Sequence, residues 1–144
     1  MKWPHCMQIA PRLSRSLPVV AVFLGAATSA LGQAAPKRTL VEVWRGGDDG
    51  LTFRLTSALE RTLESSPDFT LSSGKKPGSL VITIPTHVAW KQIGGRTQVT
   101  YVAEFTSDTS EKVGKTSGSC WDDALAKCVD RIVKKAKIAA RNIQ

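Results

Sequence analysis

The apolar positions change their period twice between residues 39 and 71. Thr39 to Trp44 (TLVEVW) sets Leu40 and Glu42 against Val41, Val43 and Trp44, the alternation of a short strand. After the loop Arg45 to Gly50 (RGGDDG), Leu51, Leu55, Ala58, Leu59 and Leu63 follow the three-and-four spacing of an amphipathic helix. Asp49 stands where a cap is needed, because its side-chain oxygen can accept the free amide hydrogens of the first turn. Ser66-Pro67 ends the helix, since a residue before proline is pushed out of the α region. Phe69 to Leu71 then reads as a minor strand, and Ser72 to Gly78 as a polar loop.

Two longer strands are predicted next, Ser79 to Lys91 and Arg96 to Thr106, joined across Gly94-Gly95, where glycine reaches positive φ at little cost. In the second, Val99, Tyr101, Ala103 and Phe105 share one face, while Thr100, Glu104 and Thr106 share the other, so one side is covered and one is wet. Pro85 and His87 interrupt the first strand. A proline cannot donate to the ladder, so the strand lies at an edge there or bends at a bulge. Ser107 to Glu111 turns the chain into Lys112 to Ser117, a third strand of the meander. Leu125, Cys128, Val129, Ile132, Val133, Ala136, Ala139, Ala140 and Ile143 mark a closing helix. Asp122 and Asp123 lie at its start and basic residues at its end, as the helix dipole favours. The order β-α-(β)-β-β-β-α predicts an α+β fold. Two amphipathic helices pack on one face of a mainly antiparallel sheet of about four or five strands.

Ahead of this domain the chemistry is different. Lys2, Arg12 and Arg15 precede an apolar run from Leu17 to Leu31, with no acidic residue before Glu42. The run is shorter than the roughly 20 residues that cross a bilayer, and it ends in small residues that suit a signal peptidase. Residues 1–34 are therefore expected to be a cleaved signal peptide, cut after Ala34 or after Gly32. Residues 35–144 are expected to form a single small domain in the periplasm or outside the cell, without an integral span. No cysteine stands directly after either cut, so there is no acceptor for an N-terminal lipid, and Cys6 leaves with the leader. Removing Lys2, Arg12 and Arg15 leaves 17 Lys and Arg against 12 Asp and Glu. That moderate positive excess serves solubility and admits acidic partners.

The chemistry-bearing residues are few. His87 is the single histidine of residues 35–144, so neither a histidine metal cluster nor a two-histidine acid–base pair can be assembled in one subunit. It reads as a strand residue satisfied by a local hydrogen bond. No nucleophile-elbow pattern occurs. Gly46 to Gly50 could offer amides to a phosphate, but no Lys-Ser/Thr pair follows and Asp48 and Asp49 would repel an anion, so it reads as a turn with a helix cap. No catalytic residue, metal site or cofactor is expected.

Cys120 and Cys128 are an even pair in an exported chain, which favours a disulfide. A helix starting at Ser119 would hold their α-carbons about 12 Å apart, beyond bridging range. A start at Asp122 or later would let Cys120 fold back beneath Cys128. Trp44, Trp90 and Trp121 read first as core or core-edge residues. Trp90, Lys91 and Arg96, near the tip of the Gly-Gly hairpin, are the candidate exposed binding patch, because aromatic and basic residues recur at interface hot spots. Arg131, Lys134, Lys135 and Arg141 on the last helix form an alternative basic patch for an anionic polymer or lipid headgroup. Export disfavours nucleic acid as its ligand.

The first strand LVEVW, the helix LTSALERTLESS with Pro67-Asp68-Phe69, the long hairpin and the closing helix DDALAKCVDRIV together resemble small periplasmic α+β domains. These are the N-terminal domain of the TolB translocation protein and the CsgG-like and penicillin-binding-protein-activator lipoproteins. The chain departs from them in lacking a lipid-acceptor cysteine, a following β-propeller and the extra segments of a pore-forming relative. The resemblance implies a non-enzymatic envelope module that contacts other proteins.

Overall fold

The computed structural model describes residues 37–143, so the predicted leader lies outside the described residues. Thr39–Arg45 forms β1 and Gly50–Glu64 forms α1. Asp49 caps α1 as its position predicts, accepting the N–H groups of Leu51 at 3.0 Å and Thr52 at 2.9 Å. Ser65 ends the helix just ahead of Pro67. The strands that follow are β2 (Phe69–Leu71), β3 (Leu80–Ile84), β4 (Ala89–Ile93), β5 (Arg96–Ser107) and β6 (Lys112–Trp121). A 3-10 turn over Asp122–Ala124 leads into α2, Ala126–Arg141.

The six strands form one sheet, mainly antiparallel as expected but mixed, because two of its pairings are parallel. β1 lies between β2 and β3 and runs parallel to both, with Thr39 beside Phe69 and Val41 beside Leu80. α1 causes this: a helix between two strands carries the chain back to its starting end, so the next strand points the same way. Beyond β3 the sheet is antiparallel.

The strand expected over Ser79 to Lys91 is two strands, laid end to end along one edge of β5. Thr83 stands opposite Glu104 and Ala89 opposite Thr100, so the link carries two more residues than the stretch of β5 it passes. Pro85 sits in that link, where its missing N–H breaks no ladder. Val88 is buried there, and its N–H is accepted by the Thr52 hydroxyl at 3.0 Å. His87 is in the link too, not in a strand. β1 ends beside Ile84, where Gly46 turns the chain away. A Cβ at Gly46 would lie 2.1 Å from the Pro85 carbonyl oxygen, so the two segments can approach this closely only with glycine.

Both helices cover one face of the sheet. Leu55, Leu59 and Leu63 of α1 and Cys128, Ile132 and Ala136 of α2 are fully buried against Val41, Ile82, Val99 and Ala103. Tyr101 and Phe105 fill the middle of this core. Each large side chain removed from water there contributes roughly 1.5–3 kcal/mol. Among the described residues no helix lies over the opposite face. It carries Trp44, Thr83, Glu104 and Lys115 as one cross-strand row, and Lys91, Gln98 and Trp121 as another.

Because the helical region begins only after Trp121, the later of the two possible starts is the one observed. It brings the α-carbons of Cys120 and Cys128 to 5.8 Å, and their sulfurs are bonded. Among the described residues no helix is long and apolar enough to cross a membrane.

Candidate functional site

Gly94 and Gly95 join β4 to β5 with φ of 55° and 76°, the two positive values of a tight two-residue hairpin turn. Ile93 and Arg96 close the turn, and Lys91–Gln98 and Ala89–Thr100 follow in register. β1 does not reach this part of the sheet, since its last pair is Arg45 with Ile84. As a result β4 has β5 on one side only, and all five of its residues are exposed. Trp90 is 61% exposed and Ile93 42%.

The three residues of the predicted patch do not share a face. Strand alternation sets Trp90, opposite Val99, on the helix side, and Lys91, opposite Gln98, on the open side. Arg96 is on the open side as well, and it is engaged within the molecule. Its guanidinium lies 4.4 Å from the centre of the Trp121 ring, and its Nη2 is 2.8 Å from each carboxylate oxygen of Asp123. Arg96 therefore braces the hairpin against the segment leading into α2, while Trp90 and Lys91 remain available to a partner. Trp121 is half-buried as expected of a core-edge residue, but Trp44, 50% exposed, and Trp90 are not core residues.

A second constellation lies where β1 leaves the sheet. The Asp49 carboxylate that caps α1 also accepts the Thr52 hydroxyl and stands 2.6 Å from His87 Nδ1. Asp48 Oδ1 lies 3.7 Å from His87 Nε2. The Thr52 hydroxyl and backbone N–H hold the Asp49 carboxyl well below the usual carboxylate range, and His87 adds to this. The partner of His87 is thus remote in sequence, not local. This clasp joins the loop after β1 to the link between β3 and β4. Among the described residues no group of three or more His, Cys, Asp or Glu side chains is arranged to hold a metal ion.

Phe53 was not singled out by the sequence pattern, yet it is 52% exposed and carries the Arg45 guanidinium 4.8 Å from its ring centre. The signal was present, because Phe53 is the large apolar residue that falls off the α1 stripe. Ile138, 53% exposed, does the same on α2.

Arg131, Lys134, Lys135 and Arg141 are all exposed on α2, but they do not act as one unit. Arg131 Nη1 donates to the Ser119 carbonyl at 3.2 Å. Arg141 faces the other way, into a cleft of about 160 Å³ shared with Lys37, Lys137, Asp68 and Phe69. Within it Lys137 Nζ is 2.7 Å from Asp68, whose carboxyl this contact holds below its ordinary range.

No protein-family model matches the chain, and no curated protein matches it significantly. Among solved structures it is similar to a minor lipoprotein from Acinetobacter baumannii, at 10% identity and a TM-score of 0.44, over 70% of this chain and 94% of that one. It is also similar to a hypothetical protein from Chlamydia trachomatis, at 8% identity and a TM-score of 0.38, over 59% of this chain and 73% of that one. Likenesses this loose carry no argument about function.

Proposed function

We propose that this protein is an exported, non-enzymatic binding module of the cell envelope that works through protein contacts made at its β4–β5 hairpin. The observation that carries the reading is Trp90. A tryptophan 61% exposed on a strand open at its outer edge is an unsatisfied apolar surface on a braced scaffold. Such aromatic anchors dominate the energetics of protein interfaces. The sequence supplies the rest: an N-terminus with the charge and length of a signal peptide, and a resemblance to TolB-like and lipoprotein domains of the envelope.

A photoreactive amino acid at position 90 of the full chain, expressed in cells, tests this. A discrete protein adduct is expected from position 90 and none from position 134 on α2. Replacing Trp90 and Lys91 together by alanine should weaken partner capture on the order of thirtyfold. Adducts from position 134 alone would reject the hairpin as the contact.

One observation favours a second reading, in which an anionic envelope polymer or lipid headgroup is the ligand. The cleft beside Asp68 gathers Lys37, Lys137 and Arg141. The two readings separate by salt, since a polyanion binder loses affinity steeply as ions screen it and an apolar-centred interface does not.

A further inference from the structure

Among the described residues the sheet has three free margins, and they are not equivalent. β2 is only three residues long. β6 is longer, but the Arg131 guanidinium covers its Ser119 carbonyl. β4 has neither protection.

The register shows which of its backbone groups are free. In a two-residue hairpin the closing pair, Ile93 with Arg96, exchanges both hydrogen bonds, and the pairs then alternate. Ala89, Lys91 and Ile93 turn their N–H and C=O groups toward β5. Trp90 and Gln92 turn theirs outward, where β1 has already ended. An exposed edge of this kind is a template for another strand.

We infer that β4 takes up an extended segment of a partner protein as an added strand, with an acidic residue of that segment beside Lys91 and an apolar residue against Trp90. This rests on the contact reading proposed above and specifies how the contact is made. The donor and acceptor pairs of Trp90 and Gln92 supply the main-chain bonds, and alternate side chains supply selection, the general logic of strand addition.

Charge decides the occupant. A second copy of the chain, pairing antiparallel about a two-fold axis through the centre of β4, would bond Trp90 to Gln92 of the copy and set Lys91 directly opposite its own counterpart. Like charges in that position destabilise a strand pair, and an edge lysine is a common guard against self-association. The same lysine welcomes a carboxylate. Among the described residues Lys91 has no acidic partner, whereas Arg96 is neutralised by Asp123.

The probe is a blocked peptide of about nine residues alternating threonine and valine, with glutamate at its centre, compared with the same peptide carrying central lysine. Binding of each labelled peptide to the full chain is followed by fluorescence anisotropy. The glutamate peptide should bind roughly five- to tenfold more tightly than the lysine peptide, and Lys91→Glu should reverse the order. Gln92→Pro removes an outward N–H without touching a main-chain bond to β5, and should abolish binding of both peptides. Gln92→Ala, which keeps the N–H and loses only the side-chain bond to Thr97, should retain it.

Absence of binding by the glutamate peptide, equal binding by the Gln92→Pro and Gln92→Ala variants, or a preference that Lys91→Glu leaves unchanged would each overturn strand addition. Lys91→Glu is a surface change that keeps the test valid should the proline variant fail to fold. Crosslinking from position 90 in cells distinguishes the two proposals. An adduct that survives Gln92→Pro in the folded protein keeps the contact reading and rejects the added strand, and no adduct in either background rejects the contact reading itself.

Discussion

Replacing Asp49 by alanine removes both carboxylate oxygens that accept at the start of α1 together. The N–H groups of Leu51 and Thr52 lose their cap, which in other proteins costs about 0.5–2 kcal/mol. The Thr52 side chain is fully buried, and its hydroxyl donates to Asp49 while accepting the Val88 N–H. Stranding that donor adds about 1 kcal/mol. The His87 contact is exposed on the imidazole side, so it adds less than about 1 kcal/mol. The expected total is about 2–3 kcal/mol, or a fall in Tm of about 10 °C for a domain of this size. Thermal and urea melts followed by circular dichroism at pH 7 measure it, with His87→Ala as the partner variant in a double-mutant cycle. The pH dependence has a definite sign. Asp49 has a depressed pKa in the fold, caused first by the Thr52 hydroxyl. Its ionised form therefore stabilises the protein above the unfolded value near 4, and that stability is lost as pH falls toward the lower folded value. The gap between wild type and variant should be level above about pH 4 and close below it. A Tm loss under about 3 °C, or a loss no larger than that of His87→Ala, would refute the argument that the carboxylate ties the cap to the β3–β4 link.

Three further outcomes follow from the same geometry. Changing Cys120 and Cys128 to serine opens a short loop and should lower stability by about 2.5 kcal/mol, read by urea denaturation under oxidising conditions. Trp90→Ala should leave Tm nearly unchanged because the ring is exposed, whereas Leu55→Ala, fully buried, should cost about 2–5 kcal/mol in the same melts. Gly46→Ala should destabilise by more than about 2 kcal/mol through its clash with the Pro85 carbonyl. Gly50→Ala, with open space around it at the start of α1, should be neutral or gain up to about 1 kcal/mol.

The sequence made some of these features legible and concealed others for identifiable reasons. The α1 stripe, the Asp49 cap and the Gly94-Gly95 turn are local, so spacing and residue type suffice to read them. Parallel pairing of β1 was less visible, because alternation tells which residues share a face and not which strand lies alongside. Pro85 announced a break, but the two-residue excess between β3 and β4 depends on the register of β5. Trp90 reads as buried while each strand face is assumed to be covered. At the hairpin end, beyond the helices and beyond β1, neither side of β4 is. Trp44 misled differently: grouping it with Val41 and Val43 ignored strict alternation, which sets it with Leu40 and Glu42 on the uncovered face. The remote partner of His87 had no local signature at all.

The place of β1 between β2 and β3 has a consequence for how the chain comes into being. Synthesis delivers the N-terminal side first, so β1 emerges before either neighbour exists. Its amides on one margin wait for Phe69 to Leu71, and those on the other wait for Leu80 to Ile84. Until then an apolar strand containing Leu40, Val41, Val43 and Trp44 is bare on both sides, the kind of segment that pairs with whatever strand it meets. A strand with neighbours on both margins at the end is the part most in need of protection at the beginning.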